Sequence, residues 1–255
     1  MHLIELKNVT YTYPLVDEPT LKNISCVLEK GKFYGVIGEN AGGKTTFCNL
    51  LRGLIPHFYH GELEGEILIE GEDIRTINVD MLSTKIGYIF QNPFTQISGV
   101  RKTVFEEIAL GLENLGVPKK EMIERVIEIA KLLKIVIDEP TSQLDPDGTE
   151  EIFQIIHMLK EQGKTIILVE HKVDLLAEYA DEIIVMGEGK ILEKGDVKTV
   201  LADRSIMKKG AMIPQSALLT YSLKEEGVEL PYIPVTKKEC VKLLRERRMT
   251  KIEPK

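Results

Sequence analysis

The sequence predicts an α/β fold: a parallel sheet covered by helices on both faces. Three observations carry this. Apolar runs of strand length, Phe33 to Ile37, Ile135 to Ile137 and Thr165 to Val169, alternate with segments of helical period. The first run passes through a glycine-rich stretch, Gly38-Glu39-Asn40-Ala41-Gly42-Gly43-Lys44-Thr45-Thr46, into Phe47 to Leu51, which reads as the start of a helix. Polar side chains that chemistry can use, Gln91, Asp138 and His171, stand at or just past the ends of apolar runs, where open α/β sheets bind their ligands.

Taken in order, residues 3–13 read as a strand, with Tyr11 and Tyr13 sharing a face at period two. Pro14 to Pro19 is a loop. Leu21 to Leu28 is a second strand, and Lys30-Gly31-Lys32 a tight turn into the third. After the glycine-rich stretch and its helix, Pro56 to Gly61 reads as an irregular loop rich in His and aromatics. Glu64 to Glu70 alternates up to Gly71, as an exposed antiparallel strand does. Lys85 to Phe90 is a further strand, running into Gln91-Asn92-Pro93. Thr103 to Leu115, with Val104, Ile108 and Leu112 on one face, and Lys119 to Leu133, with Met122, Ile123, Val126, Ile127 and Ala130, are helices. Ile135-Val136-Ile137 is a buried strand ending in Asp138-Glu139-Pro140. Asp145-Pro146 supplies a cap and first position for a helix to about Lys160. Thr165 to Val169, a helix at 172–180 and paired strands near 182–187 and 190–194 close the unit. From about residue 202 the composition changes. Thr236-Lys237-Lys238-Glu239 resembles a capping box, and 237–255 hold eight Lys or Arg against three Glu. This basic end reads as a solvated amphipathic helix, with an anionic-lipid contact as the alternative.

A chain of 255 residues buries a substantial core in one large or two small domains. The net charge of −7 argues against broad nucleic-acid binding. Cys26, Cys48 and Cys240 lack C-x-x-C spacing, which favours a reducing compartment and no zinc site. No apolar run approaches the roughly 18 residues of a membrane span, and Met1-His2-Leu3-Ile4-Glu5 does not open a signal peptide. The expectation is a soluble chain.

Strand, glycine loop and helix in the pattern G-x-x-x-x-G-K-[ST] form the P-loop of nucleotide-binding enzymes. Its physics is that of an anion site: loop N–H groups point inward and the helix N-terminus adds partial positive charge. Lys44 would reach the β- and γ-phosphates, and Thr45 would hold Mg²⁺ through its hydroxyl. Asp138 is placed to meet Mg²⁺ through water, Glu139 to orient or deprotonate the attacking water, His171 to contact the γ-phosphate, and Gln91 to sense the metal. Taken singly each has an ordinary use: Asp138 a helix cap, Glu139 a surface charge, Gln91 a loop polar group, His171 a hydrogen-bonded surface imidazole. Their order along the chain is what points to one site.

The chain resembles the ABC ATPases, and among them the energy-coupling factor ATPases that drive uptake of vitamins or transition-metal ions. Tyr11-Thr12-Tyr13-Pro14 is similar to the adenine-stacking loop, with Tyr13 at the aromatic position; a core or edge aromatic is the alternative. Gly38 to Thr45 matches Walker A, Gln91 the Q-loop, Ile135 to Glu139 Walker B with its catalytic Glu, Ser142-Gln143-Leu144-Asp145 the D-loop, and His171 the switch histidine. Phe90 to Pro93, Thr103 to Gly116 and the tail are similar to the energy-coupling branch. The resemblance implies a P-loop core with an antiparallel β lobe and a shortened helical lobe at 91–133, an ATPase domain over 1–201 and a C-terminal extension over 202–255. It implies ATP and Mg²⁺ as cofactors. Catalysis falls to Glu139, His171 and Gln91; nucleotide binding to Tyr13 and to Gly38, Glu39, Asn40, Ala41, Gly42, Gly43, Lys44, Thr45 and Thr46; metal binding to Thr45, Gln91 and Asp138. Its implied partners are a second ABC ATPase subunit, the same or different, a transmembrane coupling subunit and a substrate-binding membrane subunit. The implied location is the cytoplasmic face of the membrane.

Two departures stand out. The family's Leu-Ser-Gly-Gly-Gln signature, at a helix N-terminus between the Q-loop and Walker B, has no counterpart here: Lys131-Leu132-Leu133-Lys134 runs straight into Ile135. Ser98-Gly99 lies too close to Gln91 to serve. The shortening is a loss in the gene, an engineered or mis-assembled sequence, or a segment omitted from the chain as written. Ala41 stands where the family has Gly or Ser, which costs on the order of 1 kcal/mol if the backbone there is left-handed. A catalytically inactive ABC subunit, or a DNA-repair or chromosome ATPase, are the competing readings; the last lacks its long heptad insertion and zinc cysteines.

Overall fold

The computed structural model describes residues 2–87, 97–132, 153 and 156–250. They fall into two units, Met1–Lys85 with Ile156–Lys255, and Ile86–Ile155.

In the larger unit, β1 (His2–Thr12) pairs antiparallel with β2 (Leu21–Glu29) and with β4 (Glu62–Ile69), and β4 with the short β5 (Glu72–Asp73). β1 buries Ile4 and Leu6, then Val9 and Tyr11. Strict alternation would have put residues 8 and 10 inside. Asn8, at φ 50°, absorbs one residue in a bulge, its N–H donates to Ser25 Oγ at 2.8 Å, and the inward set moves on by one.

The second sheet holds β3 (Phe33–Gly38), buried at every position as its unbroken apolar run requires. β3 runs parallel to β6 (Ile166–Val169) on one side and to β7 (Glu182–Gly187) on the other, and β8 (Lys190–Asp196) closes the edge antiparallel to β7. The register pairs Val36 with Val169 and Gly38 with Met186, so the carboxyl ends of the three parallel strands lie side by side.

α1 (Lys44–Leu51) begins directly after Gly43, three residues ahead of the expected start at Phe47. α2 (Leu54–His57) takes up part of the expected loop. Lys85 is the end of α3 (Val79–Lys85) rather than the start of a strand: Leu82 is buried on its inner side, and Lys85 Nζ pairs with Glu70 Oε2 at 2.9 Å. The rest of that expected strand from Tyr88 onward, the strand Ile135 to Ile137 and most of the helix opened by Asp145-Pro146 lie outside the described residues.

The tail belongs to the larger unit. α8 (Val197–Ala202) is capped by Asp196, whose carboxylate accepts from Lys198 N at 2.9 Å. A 3₁₀ helix (Arg204–Lys209), α9 (Gln215–Glu225) and α10 (Lys237–Thr250) follow, burying Ile206, Ala217 and Leu243, with Val235 buried just ahead of α10. Thr236 Oγ1 accepts from Glu239 N at 3.2 Å as a capping box requires. The return contact from Glu239 lands one residue early, on Val235 N at 3.3 Å.

In the smaller unit, Thr103 caps α4 (Val104–Asn114) with both halves of a capping box. α5 (Lys119–Leu132) buries Val126 completely. Val104, expected on one face of α4 with Ile108 and Leu112, is 48% exposed, and the residue α4 buries is Ala109 instead.

A helix α6, described at 153 and 156–161, precedes β6, and between β6 and α8 lies α7 (Val173–Tyr179), close to the expected 172–180.

Candidate functional site

β3 ends at Gly38 with φ 138°, where a Cβ would stand 1.9 Å from the Met186 carbonyl oxygen; the parallel neighbour leaves room only for glycine. The chain then turns: Gly42 N donates to Glu39 O at 3.2 Å, Ala41 takes φ 62°, and Gly43, also left-handed, opens α1. From below, the β7–β8 turn supports the loop, with Gly189 N donating to Gly42 O at 3.3 Å and Lys22 N to Gly189 O at 2.8 Å. The Thr20 carbonyl would be 2.4 Å from a Cβ on Gly189. Sequence reasoning missed this support. The Glu188-Gly189 turn was visible, but nothing local tied it to Gly42.

Lys44 is 8% exposed and sits in the first turn of α1. Its ammonium donates to Gly38 O at 2.9 Å and to Glu39 O at 2.6 Å. Burial pushes its pKa down, against the opposing pull of the Glu39 carboxylate. A desolvated cation at a helix N-terminus, held by carbonyls of the glycine loop, is a fit for an anion of several oxygens. Thr45 is exposed beside it and Thr46 is buried.

Tyr13 Oη donates to Thr46 Oγ1 at 3.4 Å, which brings the expected base-stacking ring to the first turn of α1. Tyr11 and Tyr59 meet that ring edge-on at 4.8 and 5.7 Å between centroids. Tyr11 is wholly buried and donates to Tyr59 O at 3.2 Å; burial lifts its phenol to about 12.

His171 follows β6. Glu170 N reaches Val36 O at 3.4 Å, so the parallel register carries His171 alongside the end of β3. Gly38 and His171 line one narrow cleft, with Gly210, Ala211 and Met212 as its other wall. The structure therefore brings together the glycine loop, Lys44, Thr45 and Thr46, Tyr13 and His171. Gln91, Asp138 and Glu139 lie outside the described residues. Among the described residues no group of three His, Cys, Asp or Glu could hold a metal.

Comparison with known proteins adds the lineage. A family model described as ABC transporter matches residues 21–170. The chain belongs to the ABC transporter family. It is 37% identical to a Pyrococcus abyssi protein provisionally named an ABC transporter ATP-binding protein, over 89% of this chain and 93% of that one. It is 31% identical to the energy-coupling factor transporter ATP-binding protein EcfA1 of Lactococcus lactis, over 96% of this chain and 98% of that one. The fold matches cbiO1 of Clostridium perfringens, described as part of the ABC transporter complex cbiONQ, with a TM-score of 0.68 at 24% identity, over 82% of this chain and 94% of that one. The chain is thus the ATP-binding subunit of an ABC transporter with energy-coupling factor homologues, and the family chemistry is ATP hydrolysis. In this ABC subunit the α/β core and the antiparallel lobe stand as expected. No described helix is long and apolar enough to cross a membrane.

Proposed function

We propose that this subunit binds MgATP at the Gly38–Thr46 loop and hydrolyses it to drive uptake of a vitamin or a transition-metal ion. The observation that carries the reading is Lys44: a buried ammonium at the head of α1 that donates to two carbonyls of the glycine loop, beside the exposed Thr45 hydroxyl. Lys44 would bind the β- and γ-phosphates, Thr45 together with Gln91 and Asp138 would hold Mg²⁺, and Tyr13 would stack on the base. Bound Mg²⁺ would neutralise charge on the phosphates. Glu139 would take a proton from the attacking water, and His171 would steady the γ-phosphate oxygens.

The ATPase domain spans 1–201, its shortened helical lobe 91–133, and the extension 202–255. The partners are a second ABC ATPase, a transmembrane coupling subunit and a substrate-binding membrane subunit, with this chain on the cytoplasmic membrane face and no nucleic acid involved. Vitamin or metal-ion import rests on the sequence resemblance to the energy-coupling branch.

A second reading is a subunit active only beside a complete partner. One observation favours it: the alignment with the Pyrococcus protein has 262 positions, more than the 255 residues of this chain, yet covers only 89% of it, so the relative carries residues without a counterpart here. A missing signature fits that shortfall. The experiment that tests hydrolysis by this chain is Glu139→Gln in the assembled transporter. Retained nucleotide binding with turnover about 10²–10⁴-fold slower supports the catalytic reading. Unchanged turnover assigns hydrolysis to the partner's site and this chain to a supporting role.

A further inference from the structure

The wall facing His171 is made by the C-terminal extension. Ala211 and Ile213 are buried at 5% and 2% exposure, and Met212 between them is 61% exposed. Gly210 closes the 3₁₀ helix with φ 74°, and it abuts the glycine loop: a Cβ there would stand 2.9 Å from Glu39 Cβ. The segment 210–212 therefore touches the carrier of one Lys44 hydrogen bond on one side and lines the His171 cleft on the other.

A second tie runs beneath. α7 starts two residues after His171, with Asp174 in its first turn. Asp174 Oδ1 accepts from Gln215 N at 3.0 Å. Gln215 opens α9, and the residue before it, Pro214, offers no side-chain cap. The exposed N–H at the head of α9 thus takes its acceptor, and a favourable negative charge, from the helix that follows His171.

We propose that Asp174 is a positioning residue: through Gln215 it holds the Gly210–Met212 segment against the glycine loop and His171, and so couples the C-terminal extension to the phosphate end of the site. The inference rests on the nucleotide-site reading above. An arriving polyphosphate competes for the Lys44 ammonium, the Lys44–Glu39 hydrogen bond yields, and Glu39 moves against Gly210. Asp174 decides whether that movement stays local or carries 210–212 and the His171 loop with it.

The chain contains no Trp, so Met212→Trp installs a single indole on the cleft rim in the full chain. Emission is followed during titration with a non-hydrolysable MgATP analogue, and binding is measured independently by calorimetry. The expected result is an emission change that saturates with the calorimetric curve. That change is lost in Met212→Trp with Asp174→Ala at unaltered affinity, and restored with Asp174→Asn, whose amide oxygen still accepts the Gln215 N–H. Binding without an emission change in Met212→Trp alone overturns the coupling and leaves the nucleotide site standing. So does an emission change that Asp174→Ala leaves intact. Absence of binding in both the Met212→Trp and the unaltered chain overturns the site itself and the coupling with it.

Discussion

Lys44 donates to the Glu39 carbonyl oxygen at 2.6 Å, so the cation of the glycine loop is tied to the loop's own backbone. Anion binding is therefore an exchange, in which phosphate oxygens replace two carbonyls around one ammonium. The exchange favours phosphate because its oxygens carry negative charge that attracts the ammonium, whereas the carbonyls are neutral dipoles. Lys44→Ala removes the donor, and MgATP affinity should fall by about ten- to a hundredfold, in keeping with roughly 1.5–3 kcal/mol for a hydrogen bond to a charged group. Isothermal titration checks this; unchanged affinity would sink the phosphate assignment.

The same lysine makes a pH prediction. Burial lowers its pKa in the free protein, whereas a bound polyphosphate favours the charged form and raises it. Binding then takes up a proton at pH values between the two, and affinity declines as pH rises through the lowered free-state value. Lys44→Arg keeps its charge throughout this range, so its affinity curve should be flatter on the alkaline side even if weaker overall. Titrations in buffers of different ionisation enthalpy give both slope and proton count. Identical slopes in the two proteins would assign the pH effect to another group.

Ala41 occupies φ 62°, so the condition under which an alanine is costly at this position is met. Its Cβ makes that conformation unfavourable by on the order of 1 kcal/mol. Ala41→Gly should remove the strain, and a gain of about 0.5 kcal/mol or less remains after the greater entropy of glycine in the unfolded chain is deducted. Urea unfolding measures it. A loss of stability would mean that the Ala41 methyl makes contacts that outweigh the strain.

Away from the loop, Glu182 at the head of β7 joins three strands' ends. Its Oε1 pairs with Lys32 Nζ at 2.5 Å and its Oε2 with Lys194 Nζ. Burial alone would raise the Glu182 pKa, but hydrogen bonds from Lys194 and Lys32 outweigh it and hold the carboxyl below its ordinary value. A lowered folded-state pKa contributes stability that is present above the unfolded value and lost as pH falls through the folded one. Glu182→Gln should thus cost stability at neutral pH, by about 1–2 kcal/mol given the partial exposure of both lysines. The difference from the unaltered protein should shrink in acid. Thermal unfolding at neutral pH and at about pH 3.5 reads both.

The legible part of the molecule was the part in which chemistry and local pattern coincide. Gly38 to Thr46 announced itself because phosphate loops need glycine where a side chain would collide, and Met186 O supplies that collision. The apolar run Phe33 to Ile37 and the short apolar strand before His171 called for a parallel sheet, and their register aligned His171 with Gly38; β3 is buried throughout, whereas β6 is half-buried along its length. Long-range support was hidden. Nothing in Glu188-Gly189 says that it lies under Gly42, and nothing in Gly210 to Gln215 says that it meets Glu39 and Asp174, because such pairings are set by packing across the fold rather than by periodicity. Lys85 misled for a different reason: a short apolar and aromatic stretch, Ile86 to Phe90, follows it, while its helix is fixed by the burial of Leu82 and the pairing with Glu70.

The absent signature bears on turnover more than on binding. Lys44, Thr45, Gln91, Asp138, Glu139 and His171 furnish one half of an ATP site as the family resemblance lays it out, and the other half is a helix N-terminus and serine from the partner. That half contributes oriented dipoles and positioning, so its loss raises the barrier to hydrolysis more than it weakens binding. Two copies of this sequence would lack it at both sites and should bind MgATP yet turn it over poorly. Beside a complete ABC partner, this chain's P-loop would face an intact signature and form the competent site, while the partner's P-loop would face the shortened lobe. The measurement is ATPase activity of the chain alone, then with a partner carrying a mutation of its own catalytic glutamate. Activity that emerges only in the mixed assembly, and that disappears on Glu139→Gln in this chain, is the expected pattern. Brisk hydrolysis by the chain alone would contradict it and require signature residues elsewhere in the molecule.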